Sequence, residues 1–268
     1  RRRESSVYVA AELVREGKAD GLVSAGNTGA TMGVCLTRWR TLPGVSRPAI
    51  AAVIPAQTNP NVLLDVGANV DCKPRNLLDF AVMGSIYARE ILGRRHPRVG
   101  LLSIGEEQSK GNALTAIAYE LLEKSGLNFV GNVEGRDIMS GKCDVTVCDG
   151  FVGNIVLKFG EGLASHILTH LKIHLESNPI AALAAMIIKP TFRLFKQKMD
   201  PDEFGGAPLL GVNGACIICH GAANPKAVMN GIRVAGEFIT HQVNDRITAG
   251  IQENSPIAEP APASAVMA

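Results

Sequence analysis

Apolar positions along the chain fall into short runs of two alternating kinds. Runs rich in Val, Ile and Leu and closed by Gly, Asn or Asp predict strands at 21–24, 50–55, 62–65, 98–104, 128–130, 145–148 and 216–219. Stretches with apolar residues every three or four positions predict helices at 7–14, 30–40, 77–92, 113–125, 154–174 and 226–243. The runs at 50–55 and 62–65 read as a strand pair. This alternation predicts an α/β fold, a mostly parallel sheet with helices on both faces. Residues 1–252 are expected to form a single domain, and 253–268, rich in Ala, Pro and Ser, a disordered tail.

Four Gly-Asn pairs sit in the turns of this pattern: Gly26-Asn27, Gly111-Asn112, Gly131-Asn132 and Gly153-Asn154. Glycine-rich turns at the carboxyl ends of strands present bare backbone N–H groups and helix N-termini, which together suit a polyanion.

Composition narrows the partners. A net charge of +2 and 4% aromatic residues leave neither the basic surface nor the stacking platforms that nucleic acid needs. No apolar run reaches the roughly 18 residues that span a bilayer, and no signal peptide is visible. The chain opens on Arg1-Arg2-Arg3-Glu4 without a Met, which reads as a piece of a longer protein. Six cysteines in mostly apolar surroundings suit reduced, buried thiols. One spacing, Cys216-Ile217-Ile218-Cys219-His220, fits haem attachment or half of a zinc site. A buried strand there would point the two sulfurs to opposite faces, and no second cluster of metal-ligand spacing exists, so neither metal nor cofactor is expected.

Four constellations carry candidate chemistry. Ser24-Ala25-Gly26-Asn27-Thr28-Gly29 combines turn glycines with side-chain donors at a helix start, which suits phosphate; a plain helix cap has the same pattern. Asp65, Asn69, Asp71 and Lys73 follow a strand within nine residues and could set a lysine on an anion, or form an Asx-rich turn that caps a helix. Glu107 and Lys110 lie three apart in the next strand-end loop, either paired with each other or free to grip a polar substrate. The last constellation joins Asn132 and Glu134 to Asp149, Asn154 and Lys158, where Asp149 closes a buried strand as a functional carboxylate or as a cap.

One segment stands apart. Ile180–Ile188 is continuously apolar, and Lys189, Arg193 and Lys196 then interleave with Phe192, Phe195 and Met199. With Leu183, Met186 and Ile187, this excursion over 175–200 suits a protruding helical tip on an anionic membrane or a docking face for an acidic protein; a dimer interface is the alternative.

Taken together, Ser-Ala-Gly-Asn-Thr-Gly-Ala, Leu-Leu-Asp-Val-Gly-Ala-Asn-Val-Asp, Lys-Gly-Asn, Gly-Asn-Val-Glu-Gly-Arg-Asp and Asp-Gly-Phe-Val-Gly-Asn, in this order, resemble the bacterial acyl-ACP:phosphate acyltransferases of phospholipid synthesis from about Ser5 to His241. The resemblance implies a Rossmann-like, three-layer α/β/α fold of the phosphotransacetylase and isocitrate-dehydrogenase type. It also implies attack of inorganic phosphate on a long-chain acyl-ACP thioester, releasing acyl-phosphate without a cofactor. Further implied are a homodimer, transfer of product to a membrane glycerol-3-phosphate acyltransferase, and a cytoplasmic enzyme held peripherally at the inner membrane face.

Under that resemblance, Ser24, Gly26, Asn27, Thr28 and Gly29 hold phosphate. Lys73 or Lys110 neutralises it, and Asn69, Asn132 or Asn154 donates to the oxyanion. Asp65, Glu107, Asp149, Lys158 and His220 orient these groups. Two departures stand out. The family's opening strand and Asp-Ala-Met-Gly-Gly-Asp loop have no counterpart here, and Ala222-Ala223 replace its usual serine after His220-Gly221. A phosphotransacetylase acting on short acyl-CoA is the alternative enzyme, and a carrier- or membrane-binding module the alternative class. A nicotinamide-dependent decarboxylating dehydrogenase would need a metal-binding aspartate cluster that the sequence lacks.

Overall fold

A computed structural model describes residues 4–177, 183–191, 203 and 205–255. Helices α1 (Ser6–Arg15), α2 (Thr28–Trp39), α3 (Pro74–Glu90), α4 (Ala113–Glu123), α5 (Gly150–Glu176), α6 (183–191), α7 (Pro225–Thr240) and α8 (Val243–Glu253) surround one sheet. Its strands are β1 (Gly21–Ser24), β2 (Ala49–Ile54), β3 (Asn61–Leu64), β4 (Arg98–Leu102), β5 (Asn128–Val133), β6 (Val145–Val147), β7 (Ala207–Leu210) and β8 (Ala215–Ile218), in the order β1-β8-β7-β2-β3-β6-β4-β5.

The β1–β8, β3–β6, β6–β4 and β4–β5 pairs are parallel, whereas β8–β7, β7–β2 and β2–β3 are antiparallel. The expected strand pair therefore forms, with Val53 opposite Val62. Three inversions in the middle have a further consequence. The parallel pair β1–β8 and the parallel block β3–β6–β4–β5 run in opposite directions, so their carboxyl ends open at opposite edges of the sheet.

Alternation along β2 divides the core. Ala49, Ala51 and Val53 pack with α3, α4, α7 and α8, while Ile50 and Ala52 pack with α1, α2 and α5. Both faces are covered, and the strands read as continuous apolar runs. On the α1–α2 side, Trp39 donates its indole N–H to Ala11 O at 2.9 Å.

Four elements differ from the sequence expectation, the first being the strand expected at 128–130, which runs to Val133 and takes in Gly131-Asn132. The helix expected at 154–174 starts at Gly150, because the Asp149 side chain accepts the Val152 N–H at 2.9 Å and caps it. The single helix expected at 226–243 is two, because Gln242 adopts a left-handed conformation (φ 52°) between α7 and α8. Strand β7 was not expected: its four residues Ala-Pro-Leu-Leu carry too little pattern. The Cys-x-x-Cys pair behaves as the strand geometry requires: Cys216 lies in the core facing α2, and Cys219 Sγ meets Ala227 O of α7 at 3.8 Å. Among the described residues no His/Cys/Asp/Glu group of metal-binding size forms.

Candidate functional site: two crevices at opposite sheet edges

At the β1–β8 edge, α2 leaves β1 toward one face and α7 leaves β8 toward the other, which opens a crevice between adjacent parallel strands. The turn after β1 lines it. Ser24 Oγ meets Thr31 Oγ1 at 3.0 Å and accepts the Gly26 N–H at 3.3 Å, while Asn27 Oδ1 caps α2 through the Ala30 N–H at 2.9 Å. The exposed first-turn N–H groups of Thr28 and Gly29 have no acceptor among the described residues. Neighbouring His220 is exposed, and its Nδ1 accepts the Ala222 N–H at 3.2 Å.

At the opposite edge, β3 leads to α3 and β6 to α5, again on opposite faces. A buried carboxylate organises this crevice. Asp65 Oδ1 accepts the N–H groups of Ile50 (3.0 Å), Gly67 (3.2 Å) and Ala68 (3.0 Å), and Oδ2 accepts Asn69 N (2.6 Å) and Nδ2 (2.9 Å). Burial pushes the Asp65 carboxyl above its ordinary value, against the pull of these donors. The turn in turn seats α5. Gly150 N donates to Asn69 O at 2.8 Å, and Asn154 Nδ2 donates to Val66 O at 3.1 Å.

The loop after β4 closes the same edge. Ser103 Oγ donates to Lys110 O at 3.1 Å, and Glu107 O accepts both Lys110 N (3.0 Å) and Asn132 Nδ2 (2.9 Å). Asn112 caps α4 through the Thr115 N–H at 3.0 Å. Lys142 holds this loop to the segment after β5, with Nζ 3.0 Å from Glu106 and 3.5 Å from Asp137. Sequence reasoning missed that clamp, because its members are dispersed over 36 positions. It also missed Ile50 N and Pro48 O, backbone groups that no sequence pattern marks.

The predicted residues therefore fall into two sets. Ser24–Gly29 and His220 share one crevice; Asp65, Asn69, Lys73, Glu107, Lys110, Asn132, Asp149, Asn154 and Lys158 belong to the edge of the other. Several roles change in consequence. Both N–H groups of Asn69 are taken, by Pro48 O (2.7 Å) and Asp65, so it has none for an oxyanion. Asn132 is buried beneath its loop with Oδ1 unpartnered, whereas Asn154 is exposed and keeps one N–H. Asp65 is fully buried and reaches substrate only through its neighbours. Lys158 pairs with Glu161 at 2.7 Å, while exposed Lys73 and Lys110 have no carboxylate partner among the described residues.

Cys72, the half-buried thiol at this crevice, is pushed up to about 11 by burial and by the Asp65 and Asp149 charges. Burial thus disfavours its thiolate, the nucleophilic form.

On α6, Leu183, Met186 and Ile187 are 59%, 65% and 75% exposed, and Met186 and Lys189 line a groove with Leu168, Leu171 and Leu175 of α5. Arg193 and Lys196 lie outside the described residues. No described helix is long and apolar enough to cross a membrane.

Comparison with known proteins decides the family. A family model described as "Fatty acid synthesis protein" matches residues 1–246. The chain is 54% identical over 248 residues to a phosphate acyltransferase of Acidobacterium capsulatum, covering 92% of this chain and 74% of that protein.

The chain belongs to this family of phosphate acyltransferases.

A second member, from Pelotomaculum thermopropionicum, is 52% identical over 94% of this chain and 74% of its own length. Acyl transfer within lipid synthesis, expected from the motifs, is thereby established for the chain as a class of activity. Solved structures agree on the fold. The EutD phosphotransacetylase from Staphylococcus aureus superposes with a TM-score of 0.53 at 19% identity, over 92% of this chain and 67% of that one. A branched-chain phosphotransacylase from Enterococcus faecalis V583 gives 0.53 at 15% identity, over 87% and 80%. The expected three-layer α/β architecture of the phosphotransacetylase type is thus the one observed.

Proposed function

We propose that the chain transfers a long acyl group from acyl carrier protein to inorganic phosphate, releasing acyl-phosphate and the carrier thiol. The observation that carries this reading is the identity of about one half to curated phosphate acyltransferases across more than nine-tenths of the chain. A phosphate oxygen bonds to the thioester carbonyl carbon, the C–S bond breaks, and the thiolate leaves with the carrier. Phosphate is already an anion at neutral pH, so it needs holding and aiming more than deprotonation.

In this reading free N–H groups at Thr28 and Gly29, with Ser24, Gly26, Asn27 and neighbouring His220, form an anion nest at the β1–β8 edge, apart from the reacting groups. At the β3–β6 crevice, on the opposite edge, Lys110 and Lys73 hold the reacting phosphate, Asn154 supplies an oxyanion donor typically worth about 3 kcal/mol, and Asp149 and Glu107 orient them. The exposed face of α6, with Lys189, meets the anionic inner face of the cell membrane, and the carrier protein docks beside it. The enzyme works as a cytoplasmic, peripheral homodimer. Its product, a reactive acyl anhydride of phosphate, passes to a membrane glycerol-3-phosphate acyltransferase.

Incubation with palmitoyl-ACP and phosphate, trapping product as hydroxamate, tests this. Phosphate-dependent hydroxamate from the carrier substrate is the expected result. Product from acetyl-CoA alone would move the chain to the short-chain phosphotransacetylase chemistry of its structural neighbours. Binding of carrier without turnover would leave a docking module.

A further inference from the structure

Asp65 has no exposed surface, and its two carboxylate oxygens accept five N–H groups from Ile50, Gly67, Ala68 and Asn69. Those donors join β2 to the 66–69 turn. The turn is bonded onward at three points: Gly150 N to Asn69 O (2.8 Å), Asn154 Nδ2 to Val66 O (3.1 Å) and Asn69 Nδ2 to Pro48 O (2.7 Å). Below it, Asp65 N donates to Cys148 O at 3.0 Å and Cys148 N to Leu64 O at 2.8 Å.

Contact between α5 and this turn leaves no room for a side chain. A Cβ at Gly150 would lie 2.6 Å from Asn69 O and 2.7 Å from Asp65 Oδ2; one at Gly153 would overlap the Asp65 carbonyl and stand 2.9 Å from Cys148 Sγ. Two glycines one turn apart thus let the first turn of α5 rest directly on the backbone that Asp65 folds. Beyond them, no α5 residue is buried, although the helix runs to Glu176. The Asp65 turn is therefore the seat of the first turn of a 27-residue helix, with Asp149 as its cap and Asn154 just beyond, while Val156 and Leu157 add partly buried contacts to the core.

We propose that Asp65 is a positioning residue for acyl transfer: it touches no reactant, and acts by fixing the first turn of α5, hence Asn154 and the free Phe151 N–H, against the crevice. The inference rests on the phosphate acyltransferase reading for its kinetic half and on geometry alone for its structural half. The near-isosteric Asp65→Asn keeps an acceptor for Ile50, Gly67 and Ala68 but turns an NH2 toward the two Asn69 donors, so the turn loosens while the core stays filled.

Hydrogen exchange and kinetics on the whole chain test it together. In Asp65→Asn, amides of 67–69 and 150–154 should exchange at least tenfold faster while those of α3 and β4 keep their protection. With palmitoyl-ACP, kcat should fall at least tenfold while KM for phosphate changes less than threefold. Asn69→Ala, which removes the Pro48 tether without opposing two donors, should give the same pattern at smaller amplitude and serves if Asp65→Asn does not fold. Uniform loss of protection, or a kcat loss that merely follows the folded fraction, would overturn the positioning role. Unchanged exchange at 150–154 would overturn the mount. A wild-type chain inactive with every donor would sink the acyl-transfer reading and the kinetic half with it; the exchange arm would still decide the mount.

Discussion

The two crevices are built by opposite means. At the β1–β8 edge the turn residues Ala25–Gly29 are exposed and held by their own short-range bonds, Ser24 to Gly26 and Asn27 to Ala30. At the β3–β6 edge a buried carboxylate folds a turn onto β2, that turn bonds a helix 88 positions on, and the only fully buried residues of that helix are the two glycines that rest on it. A local turn can tolerate a changed side chain and lose only what that side chain contacts. A long-range seat cannot, because each group supports several others. Substitutions at the first edge should therefore act on binding, and at the second on the fold.

The largest effect is expected at Gly153. Placing a methyl group against the Asp65 carbonyl, where the nearest atoms are backbone, forces α5 away from its seat. Gly153→Ala should cost about 3 kcal/mol, the upper part of the overpacking range, read as a fall in urea midpoint. Gly160→Ala, with nothing within 4 Å of the added Cβ, is the matched control and should be neutral or slightly stabilising. Equal behaviour of the two variants would break the contrast between mounted and free parts of α5.

Next comes the exposed turn. Ser24→Ala removes the bond to Thr31 and the acceptor of Gly26 N–H, both at the surface or half-buried, so stability should change by no more than about 1 kcal/mol. If this turn holds an anion, binding of phosphate there should nonetheless weaken about tenfold. A large loss of stability with unchanged phosphate binding would reverse the assignment of the two edges.

Much of the second crevice's chemistry was legible as residue types but not as roles. Strands and helix starts follow from local pattern, and Asn27 and Asp149 cap helices, as the plainer alternative has it. Direction was not legible. Whether a strand-end turn opens at one edge or the other depends on the inversion that β2 and β7 impose, through pairing of Ile50 with Leu209. No window of sequence contains both strands. Asn69 fails as an oxyanion donor for a related reason, since the group that occupies it, Pro48 O, is backbone and carries no residue signature. Asp65, by contrast, stands in a run whose Gly67 and Asn69 already mark a tight Asx-type turn, and only the number of its donors was hidden.

The smallest effect concerns the support behind the exposed turn, where a surface charge cluster adds to the buried Trp39–Ala11 bond that joins α1 and α2. Glu12 bonds Arg38 on α2 and Arg15 on its own helix, at 3.1 Å for the latter, and these guanidinium groups hold its carboxyl down at about 2, against an ordinary 4.5. A depressed folded-state value means that the stabilisation is present in full above 4.5 and is lost as pH falls toward 2. Wild type and Glu12→Gln should accordingly differ in melting temperature at pH 7, converge across that interval, and differ less at pH 7 in 1 M NaCl, because screening weakens an exposed pair. The buried seat at the other edge should show no such salt dependence. A Glu12 contribution that survives both acid and salt would mean that the α1–α2 support is held by packing, and the two edges would then differ less than their hydrogen bonds imply.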